Sequence, residues 1–119
     1  MDSTLEVIDQ FNAAFNRHDV DAIMALMTED CVFENTFPAP DGERYVGQAA
    51  VRGFWERLFA ASPGAVFEAE AVVACDEYAI HRWRYRWGGD SPDAGHVRGV
   101  DVFRVRDGKV AEKLSYVKG

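Results

Sequence analysis

Between His96 and Arg106 the sequence alternates as a β-strand does, and one of its two faces carries Val97, Gly99, Asp101, Phe103 and Val105. Four of these five are apolar or lack a side chain, so this is the face a sheet buries. Asp101 stands in the middle of it. A lone carboxylate in such a place finds a hydrogen-bonding or charged partner, or it stays protonated. The plain reading is an Asp tied to a backbone group or to a buried Lys or Arg. The chemical reading is a pocket carboxyl whose pKa burial raises, in the way catalytic acids are tuned.

The segment Tyr78–Trp87 alternates too. One face carries Ala79, His81, Trp83, Tyr85 and Trp87; the other carries Tyr78, Ile80, Arg82, Arg84 and Arg86. The aromatic set is expected inside. His81 beside Trp83 is either a neutral core histidine or a pocket acid, base or hydrogen-bond donor, since imidazole titrates near neutrality. The three arginines have three readings: a solvated face paired to acidic neighbours, a dimer interface, or an anion site using bidentate guanidinium contacts. The last hairpin decides what faces Asp101. A three-residue turn at Arg106-Asp107-Gly108 with a Gly bulge sets Lys113 opposite; a two-residue Asp107-Gly108 loop sets Leu114 there.

The elements that must position these groups are legible in outline. Ser3 and Glu6 have capping-box spacing, and Leu5, Ile8, Phe11 and Phe15 follow on one helical face. Asp19 is a candidate N-cap for a second helix bearing Ile23, Leu26 and Met27, and the short link predicts a helical hairpin. Cys31 to Asn35 is a short β-prone run, Pro38 to Gly42 is a loop, and Arg44 to Val46 reads as a second short strand. Gly47 and Gln48 open a third helix, with Val51, Phe54, Trp55, Leu58 and Phe59 at amphipathic spacing, ended by Ser62-Pro63-Gly64. Val66 to Ala74 is β-rich, Cys75-Asp76-Glu77 turns the chain, and Lys109 to Val117 returns from the final hairpin. Three long strands joined by tight connections are expected to form an antiparallel meander. Helices that bury their stripes on one side of a bent sheet give an α+β domain.

Composition narrows the function classes. The 119 residues fit one domain spanning 1–119, and the net charge of −7 argues against nucleic-acid binding. The start Met1-Asp2-Ser3-Thr4 lacks a leader pattern, and no apolar run is long enough for a membrane helix, so the expected location is cytoplasmic, without a membrane partner. Cys31 and Cys75 lack metal or scaffold spacing and read as reduced and partly buried thiols. His18, His81 and His96 lack metal-ligand spacing, and no P-loop, GxGxxG or GxSxG is present, so neither a cofactor nor a metal is implied.

The stretch Phe15-Asn16-Arg17-His18-Asp19-Val20-Asp21-Ala22-Ile23, then Phe33-Glu34-Asn35, then Gly47 opening a helix, then Gly99-Val100-Asp101-Val102-Phe103-Arg104 with Asp107-Gly108-Lys109-Val110, resembles the nuclear-transport-factor-two-like superfamily over essentially the whole chain. Within it, SnoaL-like polyketide cyclases and ketosteroid isomerases are the nearest in flavour. The resemblance implies a cone-like α+β barrel with three N-terminal helices on a curved, mainly antiparallel sheet, a pocket between the layers, and a homodimer through the outer sheet face. It aligns Asp101 with the isomerase carboxyl that stays protonated, the family's known example of a raised Asp pKa. It sets Asn35 where the isomerase has its general-base Asp and Phe11 where it has an oxyanion Tyr, and Ser115 near the last-strand Asp of epoxide hydrolases. Standard isomerase and epoxide hydrolase activities are therefore not expected. The resulting expectation is an isomerase-, cyclase- or lyase-type enzyme acting on a small hydrophobic carbonyl compound. Asp101 would carry the proton, and His81 and Asn35 would orient or stabilise an oxyanion. Phe11, Phe15, Phe33, Trp55, Trp83, Tyr85, Phe103 and Lys113 would line the site. The rival is a non-catalytic ligand-binding or dimerisation module of the same fold.

Overall fold

Each early helix starts on a side chain that satisfies a free backbone N–H. In the computed structural model, which describes residues 3–119, Ser3 caps α1 (Thr4–Asn16) by accepting from Glu6 N at 3.1 Å. Asp19 caps α2 (Val20–Ala25) by accepting from Ala22 N at 3.1 Å. Met1 and Asp2, read above for a leader, lie outside the described residues. The chain continues through β1 (Met27–Glu34), β2 (Arg44–Val46) and α3 (Gln48–Ala61) into β3 (Val66–Cys75), β4 (Tyr78–Trp87), β5 (Gly95–Arg106) and β6 (Lys109–Val117). Gly47 enters α3 at φ 89°, a backbone conformation that suits glycine. The Gln48 amide then ties this entry to the carbonyls of Met24, Met27 and Thr28.

The six strands form one mixed sheet in the order β2-β1-β6-β5-β4-β3, antiparallel except where β1 runs parallel to β6. It does not close on itself; the three helices complete the wall on its inner face. The meander has four long strands rather than three, because Val66–Cys75 pairs along its length with β4. The second helix ends at Ala25, so Met27 belongs to a β1 longer than the run from Cys31. Val7 takes the core position expected of Leu5, which is exposed. Cys31 is buried, whereas Cys75 is exposed on β3, contrary to the expected partial burial of both. No helix among the described residues is long and apolar enough to cross a membrane.

The core fills the space between α1, α3 and the sheet. Phe15 sits at its centre, edge-on to Trp55, Phe59 and Phe67 with ring centroids 5.1, 5.1 and 5.3 Å away. Gly99 gives Trp83 its place. A Cβ at position 99 would stand 2.5 Å from the Trp83 ring and 2.4 Å from the carbonyl oxygen of Tyr116. Since one of these neighbours is backbone, Gly99→Ala should destabilise the domain by about 1–3 kcal/mol. Equilibrium urea unfolding checks this, and an unchanged midpoint would show that β5 and β6 part easily.

Candidate functional site

Three neighbouring strands bring the polar groups together. On β5, Asp101 pairs with His81 of β4 on one side and with Ser115 of β6 on the other. Of the two turns left open from sequence the two-residue loop is the one found, but neither residue expected opposite Asp101 stands there. Asp107 (φ 55°) and Gly108 (φ 76°) make a two-residue turn, with Arg106 paired to Lys109. The register then jumps, Val105 pairing with Val110 and Arg104 with Glu112, so Ala111 is an extra residue in β6. That bulge moves Leu114 off the inner face, sets Ser115 directly opposite Asp101, and places Lys113 diagonally beside it.

The result is a buried ion pair. Asp101 and Lys113 are 3 % and 6 % exposed, with Nζ 3.2 Å from Oδ2. Ser115 Oγ donates to Asp101 Oδ1 at 2.6 Å, and Lys113 Nζ donates to Ser115 Oγ at 3.1 Å. His81 Nδ1 lies 3.8 Å from Oδ2, too far for a hydrogen bond. Both His81 ring nitrogens lack hydrogen-bond partners among the described residues. Burial pushes the Asp101 carboxyl up, but the Lys113 ammonium, His81 and the Ser115 hydroxyl together outweigh it and hold the pKa below the ordinary 3.8. Of the two readings left open from sequence, the Asp tied to a buried Lys is the one this geometry matches; the raised pKa of the other needs a carboxyl without a cation beside it.

Above the pair opens a cavity of about 230 Å³. Asp101 and Lys113 reach it, and Phe15, Phe33, Trp55, Trp83 and Tyr85 supply walls as anticipated. Asn35 lines it too, its Oδ1 accepting from Thr36 N at 2.9 Å. The other three anticipated residues lie elsewhere. His81 and Phe11 border a much smaller chamber under α1, shared with Asn12, Asp101 and Lys113. Phe103 is fully buried behind them, edge-on to Phe11 at 5.5 Å. Sequence reading missed Phe54, Leu58, Phe67 and Trp87 as cavity walls. It also missed Ser115 as the partner of Asp101, because that pairing depends on the bulge. The helical spacing of Phe54 and Leu58 was the available signal for those two.

Outside the sheet, Arg84 and Arg86 both bind Glu68 at 2.7 and 2.9 Å, and Arg98 binds Glu70 at 3.0 Å. The arginine stripe is therefore largely a solvated face with acidic partners.

The SnoaL-like domain family matches residues 8–113. This chain belongs to that family. An NTF2-like protein of unknown function from Mesorhizobium loti is 42 % identical, over 98 % of this chain and 91 % of that one, with a TM-score of 0.84. A Pseudomonas putida protein provisionally named a polyketide cyclase is 21 % identical over 99 % and 93 %, with a TM-score of 0.77. A Catenulispora acidiphila protein with a ketosteroid isomerase-like fold is 16 % identical over 96 % and 86 %, with a TM-score of 0.81. No curated protein matches. The SnoaL-like membership carries the small-molecule-binding α+β fold, and the two more distant likenesses support the fold alone.

Ionisation of Asp101 makes the domain's stability pH-dependent. A carboxyl whose folded pKa lies below its unfolded value stabilises above the unfolded value, and that contribution is lost as pH falls through the folded one. Native stability should therefore drop below about pH 4. Asp101→Asn together with Lys113→Met, which removes the pair as a unit, should show a shallower acid loss in urea titrations from pH 7 to pH 2. An equally steep loss would mean that the exposed carboxylates carry all of it.

Proposed function

We propose that this SnoaL-like protein moves a proton on a small hydrophobic carbonyl compound, in an isomerase-, cyclase- or lyase-type reaction run by its own side chains. The observation that carries this reading is a charged carboxylate and ammonium, 3.2 Å apart, at the floor of a largely apolar cavity. Apolar pockets with a few convergent polar groups are where chemistry is found.

The proton accounting follows from the pair. Held down by Lys113, Asp101 is a weak base in the free protein. A substrate carbonyl oxygen set against the Lys113 Nζ draws the ammonium towards itself. The attraction that lowers the Asp101 pKa weakens, and burial then pushes its proton affinity up. The carboxylate takes a proton from the carbon beside the carbonyl while the ammonium meets the negative charge growing on oxygen. One well-placed donor in a dry site is worth roughly 3 kcal/mol of barrier. In this reading Ser115 fixes the carboxylate, His81 is a positioning residue behind it, and Asn35 orients the substrate from the cavity wall. Asp101 can return its proton to a different carbon or to the leaving oxygen, which separates isomerisation from elimination.

A non-catalytic ligand-binding role has one observation in its favour: the ion pair is already satisfied by Ser115 within the protein. The two readings part on what happens to the ligand. We also infer a homodimer through the outer sheet face, where Val73, Tyr78, Ile80 and Tyr116 are exposed.

Native mass spectrometry followed by denaturing extraction should recover a co-purified apolar carbonyl compound. Its turnover should fall at least about 100-fold in Asp101→Asn with the far-UV spectrum retained. Full activity in that variant removes Asp101 from the chemistry, and a ligand that returns unchanged from wild type favours the binding role. Light scattering should give twice the 13.3 kDa chain mass and a single-chain mass for Ile80→Asp; a wild-type monomer overturns the dimer.

A further inference from the structure

The Lys113 ammonium is surrounded by aromatic faces. Nζ lies 4.9 Å from the Phe33 ring centroid, 5.4 Å from Trp55, 5.5 Å from Phe15 and 5.9 Å from Phe103. Each distance is within the range at which a cation is attracted by a ring face. Four rings around one cation, with a carboxylate at 3.2 Å, is the arrangement that recognises ammonium ligands. Here the cation belongs to the chain.

We infer that Lys113 is the specificity-determining residue of this cavity: by filling the aromatic cage with its own ammonium, it excludes cationic ligands and admits a roughly single-ring apolar compound bearing a carbonyl or carboxylate oxygen. This rests on reading the cavity as a small-molecule site and sharpens it; it does not require turnover.

Three observations converge on that ligand. The cage is occupied, so a second ammonium would meet like charge in a poorly screened place. Lys113 brings three N–H donors and no acceptor to the cavity, and Ser115 Oγ and Asp101 Oδ2 take two of them, which leaves one for an acceptor. Both Asp101 oxygens are already engaged, Oδ1 by Ser115 and Oδ2 by Lys113, which leaves little for a donor ligand. Size sets the rest. An apolar cavity of about 150 Å³ accommodates benzene. At about 230 Å³ this one suits a single ring with a short side chain, not a fused polycycle.

The protein carries its own reporter, because all three of its tryptophans, Trp55, Trp83 and Trp87, line the cavity. Three probes of similar size separate the chemistries: 4-phenylbutan-2-one, 3-phenylpropanoate and benzyltrimethylammonium. Tryptophan fluorescence titration of the wild type should show the ketone and the carboxylate binding at least about tenfold more tightly than the cation. Lys113→Ala empties the cage and leaves the Asp101 carboxylate as a counter-ion. It should reverse the order, binding benzyltrimethylammonium at least about tenfold more tightly than wild type does. Should that variant not fold, Lys113→Met with Asp101→Asn keeps the stem and removes both charges, and the preference for carboxylate over cation should vanish.

A wild type that binds the cation as well as the other two, or binds none of the three, overturns the inference. So does a wild-type rank order that survives loss of Lys113. Selective binding without any conversion of a natural ligand would leave the inference standing and remove the acid–base reading. Turnover of a carbonyl compound by a wild type that also takes the cation would do the reverse.

Discussion

The Asp101–Lys113 pair is the constraint around which the pocket is arranged. Two charges taken out of water are tolerated only when each has the other and the remaining polar contacts are met. The fold meets them with one strand: β6 supplies both the ammonium and the Ser115 hydroxyl that completes the carboxylate. It also follows that neither charge can be described alone. Burial by itself argues for a protonated Asp101, and the proximity of Lys113 reverses that conclusion. The aromatic walls join the same arrangement, since the rings that make the cavity apolar also stabilise the ammonium within it.

The layers divide the work. Helices α1 and α3 bring Phe15 and Trp55 down onto the sheet, while the inner faces of β1, β4 and β5 contribute Phe33, Trp83 and Asp101. Absence of a side chain matters as much as presence. Gly99 opens the room that the Trp83 ring fills, and the position of that ring sets one wall of the cavity. The outer face of the same strands holds surface ion pairs, so a change there leaves the inner chemistry alone except through register.

Much of this was legible from residue spacing. Period-two alternation assigned Asp101, His81 and Trp83 to an inner face, and helical spacing assigned Phe15, Val51 and Trp55 to the core, because both periods follow from backbone geometry that tertiary contacts rarely overturn. What escaped is what depends on irregularity. The extra residue at Ala111 carries no sequence mark, yet it decides whether Leu114 or Ser115 meets Asp101. Cys75 resembles a buried thiol in composition, but it sits at an edge-strand terminus where nothing covers it. The charge state of Asp101 was illegible for the same reason as Ser115: it is a property of the neighbours, and register chose them. Met27 reads as the end of a helix by spacing, but the chain turns at Leu26 and spends it on a strand.

The bulge also bears on how such a pocket changes over generations. Side chains on a strand face in or out by parity, so gaining or losing one residue exchanges the two sets over the rest of that strand. In this hairpin, deleting Ala111 would only straighten the ladder, whereas one residue inserted between Ala111 and Glu112 with the bulge kept would turn Lys113 and Ser115 outward and bring Leu114 to the floor of the cavity, leaving helices, walls and turn in place. A charged floor and a greasy one are thus a single mutational event apart on the same scaffold. The same fold can therefore carry either floor without a change in its helices or in the order of its strands.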